Sequence, residues 1–316
     1  MSSTAFVFPG QGSQSVGMLT ELASNYPLVN ELFATVSERV GFDLWHLVQH
    51  GPEQKLNQTE HTQVAMLVAD VAVYKVMQHQ RVVPAQMMAG HSLGEYAALV
   101  CTDAISLADA AALVVKRGQL MQQTVPVGQG AMAAIVGLSD EQVQSLCTQA
   151  SVANSQVSPA NYNAIGQVVV AGHSDAVARA LGIANEMGAR MAVEIPVSVP
   201  CHCPLLAEAA TLFAQELQNA PFQVPSLPVI SNVDLSIYSS VAQIRRLLTE
   251  QLYSPVRWVE TIQLMKNKGI DLIIECGPGK VLSGLVKRID KSLQVININD
   301  TSSLDMALST LSGSVN

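Results

Sequence analysis

The pentapeptide Gly90-His91-Ser92-Leu93-Gly94 constrains this chain more than any other stretch. It follows a short apolar run over residues 86–90 and precedes a helical pattern over residues 94–101. A serine between two glycines at such a junction is the form of a nucleophile elbow. The glycines permit a tight strand-to-helix turn, the hydroxyl is exposed by it, and the helix N-terminus aims free N–H groups at developing negative charge. A pentapeptide can also arise by chance, but here both flanks agree with the motif.

The rest of the chain supplies the sheet that such a turn belongs to. A strand is readable at residues 4–8, followed at once by the glycine-rich turn Pro9-Gly10-Gln11-Gly12-Ser13-Gln14. Helical patterns run over about 27–40, 62–78 and 106–123, the last opened by Ser106 and Asp109 as a capping box. Strands alternating with helices predict an α/β fold, a hydrolase-like parallel sheet covered on both faces. From Gly128 the rhythm changes. A strand at 131–136, a helix from Ser139 with Gln142 as its cap pair, strands at 157–161 and 167–171, a helix at 175–187 and a strand at 190–195 give the order βαββαβ, a ferredoxin-like arrangement. Residues 128–198 are therefore expected to be a smaller inserted subdomain. Residues 1–127 and 199–316 would form the large catalytic one, with further strands near 228–231, 272–276 and 294–298.

Composition narrows the function. The chain has 316 residues, room for about two domains. Its hydrophobic share of 49% raises membrane insertion as a possibility, yet stretches such as 110–115 fall far short of the ~18 residues needed to span a bilayer. The N-terminal Met-Ser-Ser-Thr does not read as a signal peptide, so a cytoplasmic protein without membrane segments is expected. Five scattered cysteines suit free thiols in a reducing compartment. A formal net charge of −8 opposes nucleic-acid binding. The charge is uneven, since seven of the 17 Lys and Arg lie between Arg257 and Lys291 against four acids.

A nucleophilic serine needs a base. His202, in Val199-Pro200-Cys201-His202-Cys203, sits where the insertion ends and the main pattern resumes, and such junctions favour active sites. The flanking cysteines lack the paired C-x-x-C spacing of a structural zinc site, so no metal is expected, and neither thiol lies on an elbow. The turn Gly10-Gln11-Gly12 is not a dinucleotide fingerprint, because position 15 is Ser, and Gly277-Pro278-Gly279-Lys280 is not a P-loop. The first turn can offer a backbone N–H to an oxyanion or be a plain connection. Arg117, taken alone, reads as a solvated arginine on a helix face.

FPGQGSQ, GHSLGE, KRG, GAMAAI, NYNAIGQVVVAG, the His202 segment, QLYSPVRW and ECGPGKVL occur in this order. With these motifs the sequence resembles the malonyl-CoA:acyl carrier protein transacylases over about residues 5–311. The resemblance implies a discrete acyltransferase of fatty acid biosynthesis, a monomer with no bound cofactor, using malonyl-CoA and a phosphopantetheinyl acyl carrier protein as substrates. It implies Ser92 as nucleophile, His202 as base and Gln251 as the residue whose amide oxygen orients His202. It further implies Gln11 and Leu93 as backbone oxyanion donors, Arg117 as the two-pronged partner of the malonyl carboxylate, and His91, Asn161 and Asn163 along the site. The segment from Val199 to Leu206 departs from the residues common around this histidine, positions that bear on acyl-chain preference. The basic excess suggests carrier docking near Lys280, Lys287, Arg288 and Lys291. Two other readings stand beside this one: a hydrolase with an acid such as Asp103, Asp140 or Asp175 orienting the base, and a binding module that keeps the fold without the chemistry.

Overall fold

The structure, a computed structural model, describes residues 3–313; Met1 and Ser2, part of the segment read as lacking a leader, lie outside it. In chain order the strands are β1 (Thr4–Phe8), β2 (Met87–Gly90), β3 (Gly130–Val136), β4 (Val157–Ala164), β5 (Gln167–His173), β6 (Met191–Ile195), β7 (Leu272–Cys276) and β8 (Gln294–Ile298). They form two sheets. The first has the order β2-β1-β7-β8 with every pair parallel. β1 is buried along its whole length because helices cover both faces of this sheet. Phe6 and Phe8 point into one core, Ala5 and Val7 into another, so the two-residue period of a strand turns one apolar run into two opposite packing faces.

The second sheet has the order β4-β5-β3-β6, antiparallel throughout, which is the ferredoxin-like arrangement. Ala133, Ile135, Val168 and Val170 on one face pack against helices Asp140–Ala150 and Ser174–Glu186. Met132, Val169 and Ala171 on the other face pack against Cys203 and its neighbours. The small sheet thus stands over the segment that carries His202. Ser139 and Gln142 form a complete capping box at Asp140–Ala150, whereas Ser106 accepts from the Asp109 N–H without the reciprocal bond.

One expected strand is almost absent. Around 228–231 only isolated bridges form, Met88 with Val229 and Ile230 with Ile237. The Asn232 N–H donates to the Glu95 carboxylate at 3.3 Å instead of continuing a ladder, because the chain turns here toward the elbow. The five cysteines are free. Among the described residues no helix is long and apolar enough to cross a membrane.

Candidate active site

The C-terminal ends of β1 and β2 open into one cavity of about 490 Å³, walled on its far side by Met132, Val169 and Ile195 of the small sheet. Ser92 stands at its base, directly after β2. The elbow is sterically determined. A Cβ on Gly90 would lie 1.8 Å from the Gly94 carbonyl carbon, and one on Gly94 would lie 2.1 Å from the Phe8 oxygen, so neither position admits a side chain. Ser92 itself has φ of 52°, a left-handed conformation that a serine adopts only where its surroundings impose it.

Asn232 imposes part of that shape. Its Oδ1 accepts from the Ser92 N–H at 2.7 Å and its Nδ2 donates to the Gly90 carbonyl at 2.7 Å, clamping both limbs of the turn. The Ser92 N–H is therefore committed to the protein interior. The Leu93 and Gln11 N–H groups have no protein partner among the described residues, and Gln11 lines the cavity. These are the two donors expected for an oxyanion.

The Ser92 Oγ lies 2.7 Å from His202 Nε2, across 110 residues of sequence. His202 also has a positive φ, 62°, and is 3% exposed. Its Nδ1 is 2.7 Å from the main-chain oxygen of Gln251. A carbonyl only accepts, so Nδ1 carries the proton and Nε2 is left bare toward the serine hydroxyl. This corrects one expectation: the Gln251 carbonyl, not its side-chain amide oxygen, orients the base. Helix Val241–Glu250 ends just before Gln251, which leaves that carbonyl without a partner in a further helical turn. Burial, then the positive charge of Arg117, lowers His202 to about 3, so the imidazole rests neutral and ready to accept a proton.

The Gln251 side chain does other work. Its Oε1 accepts from Arg117 Nη2 at 2.9 Å, and its Nε2 donates to the Ser92 carbonyl at 3.0 Å and to Glu95 Oε2 at 2.6 Å. Arg117 is fully buried rather than solvated. It lies behind the cavity lining, with Nη1 on Gln63 Oε1 at 2.8 Å, its guanidinium near the Tyr96 ring and its Nε without a partner. Gly118 explains how it arrives there. A Cβ on Gly118 would meet the Glu60 main chain at 2.5 Å, so the glycine lets helices Thr59–Gln80 and Leu107–Thr124 cross closely and brings Arg117 beside Gln63.

His91, Asn161 and Asn163 line the cavity. Asn163 Oδ1 is 2.8 Å from His91 Nε2, and the His91 ring meets Trp258 edge-on. Irregularities in the β4–β5 register at Pro159/Asn161 and Tyr162/Ala164 turn these two asparagines toward the site. Cys201 and Cys203 stay as thiols, pushed by burial up to about 11 and 12. Among the described residues no group of three or more His, Cys, Asp or Glu is arranged to hold a metal ion. Asp103, Asp140 and Asp175 make no contact with His202; Asp175, for instance, pairs with Arg179 and Ser155. Glu95, Asn232, Gln63 and Tyr238 join the site beyond the residues expected from the sequence. Glu95 closes the GHSLGE motif, the one signal that could have marked it; the others carry no local pattern.

The acyl transferase domain family matches residues 5–308 of the chain. The chain is 48% identical to the malonyl CoA-acyl carrier protein transacylase of Salmonella typhimurium, over 98% of this chain and 99% of that one. It is 49% identical to the Escherichia coli protein of the same name over the same shares. The solved structure of the malonyl CoA-acyl carrier protein transacylase from Coxiella burnetii superposes with a TM-score of 0.96 at 48% identity, covering 98% of each chain. So does a malonyl-transacylase solved in complex with its type II PKS acyl-carrier protein, with a TM-score of 0.96 at 47% identity over 98% of this chain and 100% of that one.

Proposed function

Because the chain belongs to the acyl transferase family, among the malonyl CoA-acyl carrier protein transacylases, we propose that it moves a malonyl group from malonyl-CoA to the phosphopantetheine thiol of an acyl carrier protein through an ester on Ser92. The observation that carries this is the 2.7 Å contact from Ser92 Oγ to an imidazole whose other nitrogen is pinned to a carbonyl. That arrangement makes a nucleophile of a hydroxyl without needing an acid on the histidine.

Ser92 Oγ attacks the thioester carbon while its proton passes to His202 Nε2, and the oxygen that becomes negative takes the Gln11 and Leu93 N–H groups. The C–S bond breaks and coenzyme A leaves with the proton from His202. In the second half the carrier thiol gives its proton to His202, its sulfur attacks the ester carbon, and Ser92 recovers the proton as the C–O bond breaks. Each half is the reverse of the other, and no bound cofactor is required. Arg117 is the partner we assign to the malonyl carboxylate, supported by its buried charge and unpartnered Nε. A carboxylate there offsets the positive charge that lowers His202, so substrate binding makes the base stronger. His91, Asn161 and Asn163 shape the cavity for the acyl group and pantetheine arm.

We assign carrier docking to the exposed Lys280, Lys287, Arg288 and Lys291. Helix Val281–Ile289 supports this, because Val281, Leu282 and Leu285 on it line the cavity while Lys287 and Arg288 on it, and Lys280 and Lys291 flanking it, are exposed. A monomer suffices for the reaction, since one chain supplies every group named. The test is intact-protein mass spectrometry after brief exposure to malonyl-CoA. A malonyl adduct that maps to Ser92, is absent from Ser92→Ala and disappears on adding carrier is expected; an adduct persisting in Ser92→Ala would overturn the assignment.

A further inference from the structure

One buried acid stands behind both the elbow and Arg117. Glu95 is fully buried, and its Oε2 accepts from the Gln251 amide at 2.6 Å and from the Asn232 N–H at 3.3 Å, while the Tyr238 hydroxyl donates to Oε1. Through Asn232 it reaches the elbow. Through Gln251 it reaches Arg117, because the same amide that donates to Glu95 accepts from Arg117 Nη2 at 2.9 Å. One amide therefore spans a carboxyl group and a guanidinium, and the two charges reinforce its polarisation from opposite ends. Among the described residues no carboxylate lies within ion-pairing distance of Arg117. The acid facing it across Gln251 is Glu95.

We propose that Glu95 sets the enzyme's preference for carboxylated acyl groups, by competing as a carboxylate with the acyl carboxylate for the field of Arg117. The proposal rests on the reading of Arg117 as the partner of that acyl carboxylate. An ionised Glu95 balances the guanidinium in the empty site and repels a second carboxylate brought to it. A protonated Glu95 leaves Arg117 unbalanced and so strengthens its hold on a malonyl group, while an acetyl group is indifferent to the change. Linkage makes the effect reciprocal, so a bound malonyl group raises the proton affinity of Glu95 by the same factor.

The proton equilibrium falls in a working range. Burial pushes the Glu95 carboxyl up to about 7, against the hydrogen bonds from Tyr238, Gln251 and Asn232 and the charge of Arg117. Burial shifts the other titratable groups around it as well. His202 is held down to about 3, burial lowers His91, and burial pushes Tyr96 and Tyr238 up.

The experiment measures kcat/KM for acylation by malonyl-CoA and by acetyl-CoA between about pH 5.5 and 8.5, and reads their ratio. In the native protein the ratio should fall by roughly three- to tenfold as pH rises through the Glu95 titration. In Glu95→Gln it should stay flat at the high value. Tyr238→Phe removes a donor that favours the ionised acid, so it should move the step to higher pH, and it serves as the test if Glu95→Gln does not fold. A flat native ratio, a pH step that survives in Glu95→Gln, or an unmoved midpoint in Tyr238→Phe overturns the proposal. A parallel fall for both substrates in Glu95→Gln, with the step retained, assigns Glu95 a purely structural role and overturns it too. Arg117→Ala separates the two readings. If it leaves the malonyl-to-acetyl ratio at the native value, the assignment of Arg117 has failed; if the ratio collapses there while Glu95→Gln keeps the step, only the role of Glu95 has.

Discussion

A base held by a main-chain carbonyl keeps its orienting partner under any ordinary substitution at the residue that supplies it. His202 is in this position, since its Nδ1 meets the Gln251 backbone oxygen and not the side chain. Gln251→Ala therefore leaves the orienting contact in place and removes the amide that links Arg117, Ser92 and Glu95. Loss of a general base typically costs on the order of 10² to 10⁴ in rate. We expect His202→Ala to lie at the upper end of that span and Gln251→Ala to retain at least tenfold more activity, read as single-turnover acylation by malonyl-CoA. Equal losses would show that the side chain, not the carbonyl, holds the ring. The same residue shows why no acid is needed where hydrolases place one: the ring is held by a main-chain carbonyl, and the Gln251 amide is left to join Arg117, the Ser92 carbonyl and Glu95.

At the scale of elements, the elbow and the helix Val281–Ile289 make opposite demands on glycine. Gly94 lies against the carbonyl of Phe8 at the end of β1, and a Cβ there would press on backbone atoms of a central strand that cannot yield. Gly284 sits within its helix with nothing within 4 Å of a Cβ. Gly94→Ala is expected to destabilise the fold by about 3 kcal/mol or more and to abolish acylation, because relief of the clash must displace Ser92. Gly284→Ala should stabilise by about 0.5 to 1 kcal/mol through helix propensity, with acylation preserved. Denaturant unfolding of the two variants, with adduct formation on the folded fractions, checks both signs. A neutral Gly94→Ala would mean that the β1 end gives way, contrary to the packing of its neighbours.

For the whole molecule, the large sheet carries the chemistry, the small sheet closes the cavity over it, and the basic rim beside helix Val281–Ile289 faces outward. Lys287→Glu combined with Arg288→Glu should slow transfer to an acidic carrier by roughly tenfold at low salt, converge with the native rate as salt rises, and leave acylation by malonyl-CoA little changed. A carrier step indifferent to both salt and these changes would place docking elsewhere. The sequence by itself determined the strands β1, β2, β7 and β8, the βαββαβ element order and the elbow, because apolar period, caps and glycine sterics act within a few residues of one another. It also marked Ser92 and His202, by a motif and by a junction, and the family's motif order marked Arg117 and Gln251. Which atoms meet was decided only by the tertiary structure. The strand expected near 228 gave way to a turn that delivers Asn232 to the elbow, Arg117 went into the interior rather than to a solvated face, and His202 took a backbone carbonyl. Those contacts join residues more than a hundred positions apart or depend on where a helix ends, as with Ser92 and Gln251 at a separation of 159. A buried polar group must find a partner wherever packing leaves one, and no local pattern in the chain records which partner that is.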